Sequence, residues 1–224
     1  MAHMQSHGPG SRPCECGLRK IQKPHLLQNT QRVRHPANGN ISARMSNRLN
    51  LDAMYKRHRA LTVPIAGSYR EAASVCLNRH HSPPIEVAML DNGANSTAEL
   101  AWVVPDQRIL DAWANVTDTT EAGAYGCVIA GVELLRNLFA VRRAETGTGA
   151  DYYIGPQGSG QNDLEECLRL EISGVSEGDS RDVNRRLLEK IQQALDGDSN
   201  LPALAGVMGF ASKIIMVQDV AGKS

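Results

Sequence analysis

Leu168-Arg169-Leu170-Glu171-Ile172-Ser173 alternates apolar and polar side chains without a break. That period of two belongs to a strand with unlike faces, with Leu170 and Ile172 pointing one way and Arg169, Glu171 and Ser173 the other. Upstream, Ala150-Asp151-Tyr152-Tyr153-Ile154 reads as a neighbouring strand and residues 139–145 as a third. Before them, Asp118 is suited to cap a helix, and Glu121 follows three positions later as in a capping box. That helix is predicted to run to about Leu138, with Tyr125, Val128, Ile129, Val132 and Leu135 as its buried stripe. Downstream, 180–196 reads as an amphipathic helix with Val183, Leu187, Leu188, Ile191 and Leu195 inside, followed by strands near 203–209 and 213–219. The order from residue 118 is helix, three strands, helix, two strands. Helices before and after the strands can cover both faces of one sheet, which predicts an α/β fold with a central mixed sheet flanked by helices.

Three carboxylates fall at informative places in this pattern. Glu121 lies in the first turn of its helix, four residues before Tyr125 and so over the buried stripe. Asp151 opens the middle strand, and Glu171 sits mid-strand between Leu170 and Ile172. In a sheet covered on both sides Glu171 is at least partly buried, and an uncompensated buried carboxylate costs several kcal/mol. Asp151 and Glu171 on adjacent strands would repel each other, and a hard divalent cation relieves such repulsion. Mg²⁺ suits a site of one or two carboxylates, a backbone carbonyl and several waters. The same residues admit plainer roles. Glu121 can serve only the cap, Asp151 can end a turn after Gly149, and Glu171 can face solvent and pair with Arg169 or Lys213. Lys190 can snorkel from its helix, and Arg185-Arg186 can be a solvated helix face.

The succession of Glu121, Arg142-Arg143, the Thr146-Gly147-Thr148-Gly149 loop, Asp151, Leu-Arg-Leu-Glu171-Ile-Ser173 and the basic helix Arg185-Arg186-Leu-Leu-Glu-Lys190 resembles the PD-(D/E)XK, restriction-endonuclease-like superfamily. The resemblance covers residues 118–220 or so and implies a restriction-endonuclease-like core. It also implies Asp151 and Glu171 as ligands of Mg²⁺ (or Mn²⁺), with Glu121 as a supporting carboxylate. Arg142, Arg143, Arg185 and Arg186 are then expected to hold flanking phosphates through charge-assisted hydrogen bonds. DNA is the implied partner and phosphodiester hydrolysis in the cytoplasm the implied activity, with a homodimer kept open. Two departures stand out. Ala150 takes the place of the motif proline, and Ser173 the place of the motif lysine. Serine brings no positive charge. Either Lys190 on the following helix supplies it, or the site is degraded. In the second case the domain binds nucleic acid or a protein partner without cutting, with a bacterial defence or mobile-element system as its setting.

The rest of the chain bounds these readings. Two Trp, two Phe and five Tyr in 224 residues leave little material for a base-stacking platform. No apolar run reaches the roughly 18 residues of a membrane-spanning helix. Residues 1–60 carry 11 Lys/Arg against Glu15 and Asp52, and residues 61–224 carry 13 against 22 acids. A basic arm on an acidic body is one footprint of a nucleic-acid binder, and a solvated tail is the plainer reading. An acidic body also favours a non-cleaving module, because DNA is repelled unless arginines cluster on one face. Residues 1–44 show no apolar period and are expected to be a disordered arm or a non-native extension, with Met45-Ser-Asn-Arg-Leu reading as a start.

Residues 45–117 read as an α/β lead-in packed on the core: a short basic helix over 46–60, a helix over 68–80, strands at 85–90 and 98–104 around the Asp91-Asn92-Gly93 turn, and a short helix opened by Asp106. A small-molecule enzyme using residues 61–115 is a third option. Cys76, Cys127 and Cys167 fall in apolar segments and are expected to be free buried thiols. Cys14-Glu15-Cys16 lacks zinc-ligand spacing. The Gly155–Gly160 loop lacks the Gly-Lys-Ser/Thr ending of a phosphate-binding loop and reads as a hairpin connection. His80-His81 reads as a helix-end or surface pair.

Overall fold

The computed structural model describes residues 47–159 and 164–221, so the expectations for residues 1–44, including Cys14 and Cys16, fall outside the described residues. These described residues form one compact unit. Its elements are α1 (Val63–Asn78), β1 (Ile85–Asp91), β2 (Ala94–Leu100), α2 (Gln107–Ala112), α3 (Val116–Arg136), β3 (Phe139–Arg143), β4 (Tyr152–Gly155), β5 (Leu168–Val175), α4 (Ser180–Asp196), β6 (Ala203–Gly209) and β7 (Ile214–Val220).

One seven-stranded mixed sheet runs in the order β2-β1-β7-β6-β5-β4-β3. The pairs β3–β4, β4–β5, β6–β7 and β1–β2 are antiparallel, whereas β5–β6 and β1–β7 are parallel. The lead-in and the later part of the chain therefore share a sheet. Strand β6 (Ala-Leu-Ala-Gly-Val-Met-Gly) is buried along its whole length, as a central strand covered on both faces requires. Its two faces meet different layers. Leu204 and Met208 join the α1/α3 core, with Cys127, Val128 and Ile129 of α3. Ala203, Ala205 and Val207 pack under Val183, Leu187 and Ala194 of α4. Leu170 and Ile172 of β5 face the α3 layer, and Glu171 is reached from α4, which is the division that the alternation of β5 dictates.

Several expectations shift. Helix α3 starts at Val116 because Asn115, not Asp118, caps it, its side chain accepting from the N–H groups of Thr117 and Asp118. Asp118 lies inside the first turn, and no Asp118–Glu121 capping box forms. A capping box does close the start of α4, through Asp179 and Asp182. Strand β2 lies at 94–100 rather than 98–104, because Asn92 and Gly93 both take positive φ and turn the chain in two residues. Of the basic helix expected over 46–60, the described residues 47–60 form a 3-10 turn at Met54–Lys56, and Leu49 hydrogen-bonds Glu99 along the outer edge of β2. Leu188, placed inside by its spacing, is 56% exposed. Cys76 and Cys127 are buried free thiols, and Cys167 is buried. His81 Nε2 lies 2.9 Å from the Phe210 carbonyl oxygen, so that histidine is tied to the core's edge rather than left on the surface.

Candidate functional site

Helix α4 buries Val183, Leu187 and Ala194 in one stripe, and Lys190 occupies the position between Leu187 and Ala194 in that stripe. A lysine at an inward position points its stem at the sheet. Its Nζ donates to Glu171 Oε1 at 2.8 Å and to Gln193 Oε1 at 2.9 Å. Glu171 is 3% exposed and Lys190 18%, so this ion pair is largely withdrawn from water. Neither Arg169 nor Lys213 partners Glu171. Arg169 donates instead to the carbonyl oxygens of Thr148, Ala194 and Leu201, tying the 146–149 loop to the end of α4.

That loop delivers Asp151. Gly149 takes φ +63°, and a Cβ there would lie 2.8 Å from the Gln193 carbonyl oxygen, so only glycine lets the loop lie against α4. Asp151 stands one residue before the β4–β5 pairing begins at Tyr152 and Leu170, and its N–H donates to the Leu170 carbonyl oxygen at 2.9 Å. The Asp151 carboxylate is fixed at both oxygens: Oδ2 accepts from the Ile172 N–H at 2.8 Å, and Oδ1 from the Tyr125 hydroxyl at 2.8 Å. Tyr125 OH also lies 2.9 Å from Glu121 Oε1 and accepts from Arg143 Nη2 at 3.1 Å. The Arg143 guanidinium stacks over the rings of Tyr125 (4.6 Å) and Tyr152 (4.7 Å) and reaches Asp151 Oδ1 at 3.5 Å. Behind them Tyr69 OH and Tyr152 OH are 2.7 Å apart.

Glu121, Tyr125, Arg143, Asp151, Glu171 and Lys190 border a cleft of about 900 Å³ that is also lined by Thr120, Ser173, Gly174 and Arg186. Gly174 lets β5 pass close under α3, since a Cβ there would stand 2.7 Å from the Thr120 carbonyl oxygen. Burial and the nearby Asp151 charge raise the Glu171 carboxyl above its ordinary range, against the pull of Lys190 and Arg143. Burial, and then Asp151, push the Tyr125 hydroxyl far up, so it stays protonated and serves as a donor.

The structure thus brings Asp151, Glu171, Lys190, Arg143 and Arg186 to one cleft, with Glu121 at its rim. Arg142 does not line the cleft and pairs with Glu145 at its edge. Arg185 pairs with Asp182 beside an adjoining groove that it shares with Arg186. Glu121 is exposed and stands off Asp151 by one phenolic oxygen, so the helix carboxylate does not join the other two. Among the described residues, no three His, Cys, Asp or Glu side chains converge as a ready ligand set. The donor set is two carboxylates, which suits a hard ion that keeps most of its waters. Lys190 engages Oε1 of Glu171 and leaves Oε2 for such an ion. Tyr125 was legible only as part of a buried stripe. The signal that marks it is a phenol with Glu121 one turn away, because a buried tyrosine hydroxyl needs a partner. Comparison of the chain with family models, with curated proteins and with solved structures returned no match.

Proposed function

We propose that this protein is a divalent-cation-dependent nuclease that hydrolyses DNA phosphodiester bonds, with Asp151 and Glu171 holding Mg²⁺ or Mn²⁺. The observation that carries the reading is that the Asp151 carboxylate is held by the N–H of Ile172, the residue after Glu171, beside a Lys190 ammonium 2.8 Å from Glu171. The run α3-β3-β4-β5-α4-β6 supports a restriction-endonuclease-like core: three antiparallel strands, then a helical crossover to a strand parallel to the third. Lys190 takes the role vacated by Ser173.

The cleft's charged lining has Glu121, Glu145, Asp151, Glu171 and Asp196 against Arg143, Arg186 and Lys190. A polyanion is repelled from such a surface until cations enter, which favours a metal-dependent reaction. The bound ion supplies Lewis acidity, polarising a phosphate oxygen and easing deprotonation of water. Lys190 orients the attacking water and stabilises charge that develops on the phosphorane-like transition state. Arg143, held flat by two tyrosine rings, presents its remaining N–H groups to a phosphate, and Arg186 holds a second one. Arg142 and Arg185 lie farther along, where they can meet only flanking phosphates. Cutting both strands of a duplex calls for a second copy of the chain, so the homodimer belongs to the same proposal, as does action in the cytoplasm. No helix among the described residues is long and apolar enough to cross a membrane.

The acidic excess in the cleft also favours a second reading, a module of the same fold that binds nucleic acid or a protein without cutting. The test is cleavage of plasmid and labelled linear duplex in Mg²⁺ or Mn²⁺ by wild type, Asp151→Ala and Glu171→Ala. The expected result is cleavage by wild type alone, with all three proteins folded. Equal cleavage by all three rules the site out, and DNA retention without cleavage moves the assignment to the second reading.

A further inference from the structure

The Tyr125 hydroxyl carries a single proton and lies within hydrogen-bond distance of two carboxylates, Asp151 Oδ1 and Glu121 Oε1. It can donate to only one of them at a time. Arg143 donates to the same oxygen and lays its cation over the Tyr125 ring. Nothing else described orients Asp151 Oδ1 so closely: the Arg143 contact to that atom is 3.5 Å, against 2.8 Å for the phenol. The main-chain N–H of Ile172 fixes the other oxygen. The carboxylate plane is therefore set by one backbone donor and one tyrosine.

We propose that Tyr125 is a positioning residue of the cation site, which holds the Asp151 carboxylate in its ion-binding orientation, and that Glu121 competes with Asp151 for the phenolic proton rather than touching the ion. The inference rests on the metal-site reading above and assigns the third carboxylate of that reading a different task. Partners that orient a ligand's free atoms from behind typically change metal affinity by about 10–100-fold when removed. Loss of the Tyr125 hydroxyl leaves Asp151 Oδ1 free to swing toward Arg143, whose cation competes with an incoming ion. Loss of the Glu121 charge leaves the phenol free to donate to Asp151 without a rival, so the ion's ligands are untouched.

The test is calorimetric titration of Mn²⁺ into the full chain, as wild type, Asp151→Asn, Tyr125→Phe, Glu121→Gln and Tyr69→Phe, each checked by a thermal melt. Tyr69→Phe removes an equally enclosed hydroxyl that bonds Tyr152, one ring away from the carboxylates, and so reports the cost of general loosening. The expected result is wild-type affinity in Glu121→Gln and Tyr69→Phe, affinity about 10–100-fold weaker in Tyr125→Phe, and none in Asp151→Asn. Affinity unchanged in Tyr125→Phe, or weakened as much in Tyr69→Phe, overturns the positioning role. Affinity weakened tenfold or more in Glu121→Gln overturns the task given to Glu121. Absence of Mn²⁺ binding in wild type would instead remove the metal-site reading itself. If Tyr125→Phe does not fold, Arg143→Gln is titrated in its place. Removing the competing cation is expected to leave affinity at or above wild type, and a tenfold loss there would contradict the mechanism.

Discussion

Replacing Lys190 by methionine keeps the length and apolar stem of the side chain and removes its charge. At 2.8 Å and an effective dielectric constant of 20, the attraction to Glu171 is about 6 kcal/mol before desolvation is charged against it. Lys190 keeps 18% of its surface in water, so the pair lies between an exposed bridge, worth about 1 kcal/mol or less, and a fully buried one, where removing a partner costs about 3–5 kcal/mol. A loss of about 2–3 kcal/mol at pH 7 follows, which for a chain of this size lowers Tm by roughly 4–12 °C. The loss has a ceiling, because an abandoned Glu171 can take up a proton instead of remaining charged. Its carboxyl is already raised by burial and by Asp151, and without Lys190 it rises further. A raised carboxylic acid makes the folded state gain stability as pH falls through its folded pKa, so the deficit of the variant shrinks on acidification. Urea unfolding followed by circular dichroism at pH 7 and pH 5, for wild type, Lys190→Met, Glu171→Gln and the double variant, measures both the deficit and the pair's coupling. A deficit equal at the two pH values, or a coupling near zero, would refute the reasoning.

Three other outcomes follow from the same geometry. Glu171→Gln is expected to abolish cleavage and, because it also removes the burial cost that raises the Glu171 carboxyl, to lower Tm at pH 7 by less than Lys190→Met does; an equal or larger fall in thermal melts contradicts this. The Glu133 carboxyl is opposed by burial but held below its ordinary range by hydrogen bonds from His58 and Arg57. Its contribution is therefore present above its unfolded pKa and lost as pH falls through the lower folded value. Glu133→Gln should cost about 1–3 kcal/mol at pH 7 and show a flatter acid limb in a pH series of melts. Gly149→Ala forces a side chain onto φ +63° and toward the Gln193 carbonyl oxygen, and should cost about 1–3 kcal/mol by urea titration and lower cleavage by displacing Asp151.

Where side-chain periodicity and packing agree, the fold is legible in the chain. The strict alternation of β5, the 3.6-residue stripe of α4 and the unbroken apolar run of β6 each mark an element whose buried face decides its conformation. Strand β2 escaped because its Asn95-Ser96-Thr97 stretch is exposed near the sheet's edge and carries no alternation, and only the tight Asn92-Gly93 turn sets its register. The start of α3 was misplaced because Asn115 and Asp118 are both able caps, and spacing alone does not choose between them. In the site, Asp151, Glu171 and Lys190 were singled out from their elements, and the start of β4 against β5 with an inward position on α4 sets them around one cleft. The assembly of Tyr69, Tyr125, Tyr152 and Arg143 was not visible, because four residues from two helices and two strands converge there through tertiary packing. Arg142 and Arg143 are adjacent in a strand and so diverge: one enters the cleft and the other leaves it.

The most direct measurement is an anomalous difference map from a crystal of the protein soaked in Mn²⁺. A cation site built from Asp151 and Glu171 gives a peak with oxygen atoms of both carboxylates about 2.1 Å away and Lys190 still beside Glu171. A map with no peak in the cleft, or with its peak on other acids such as Asp91 and Asp219, would contradict it.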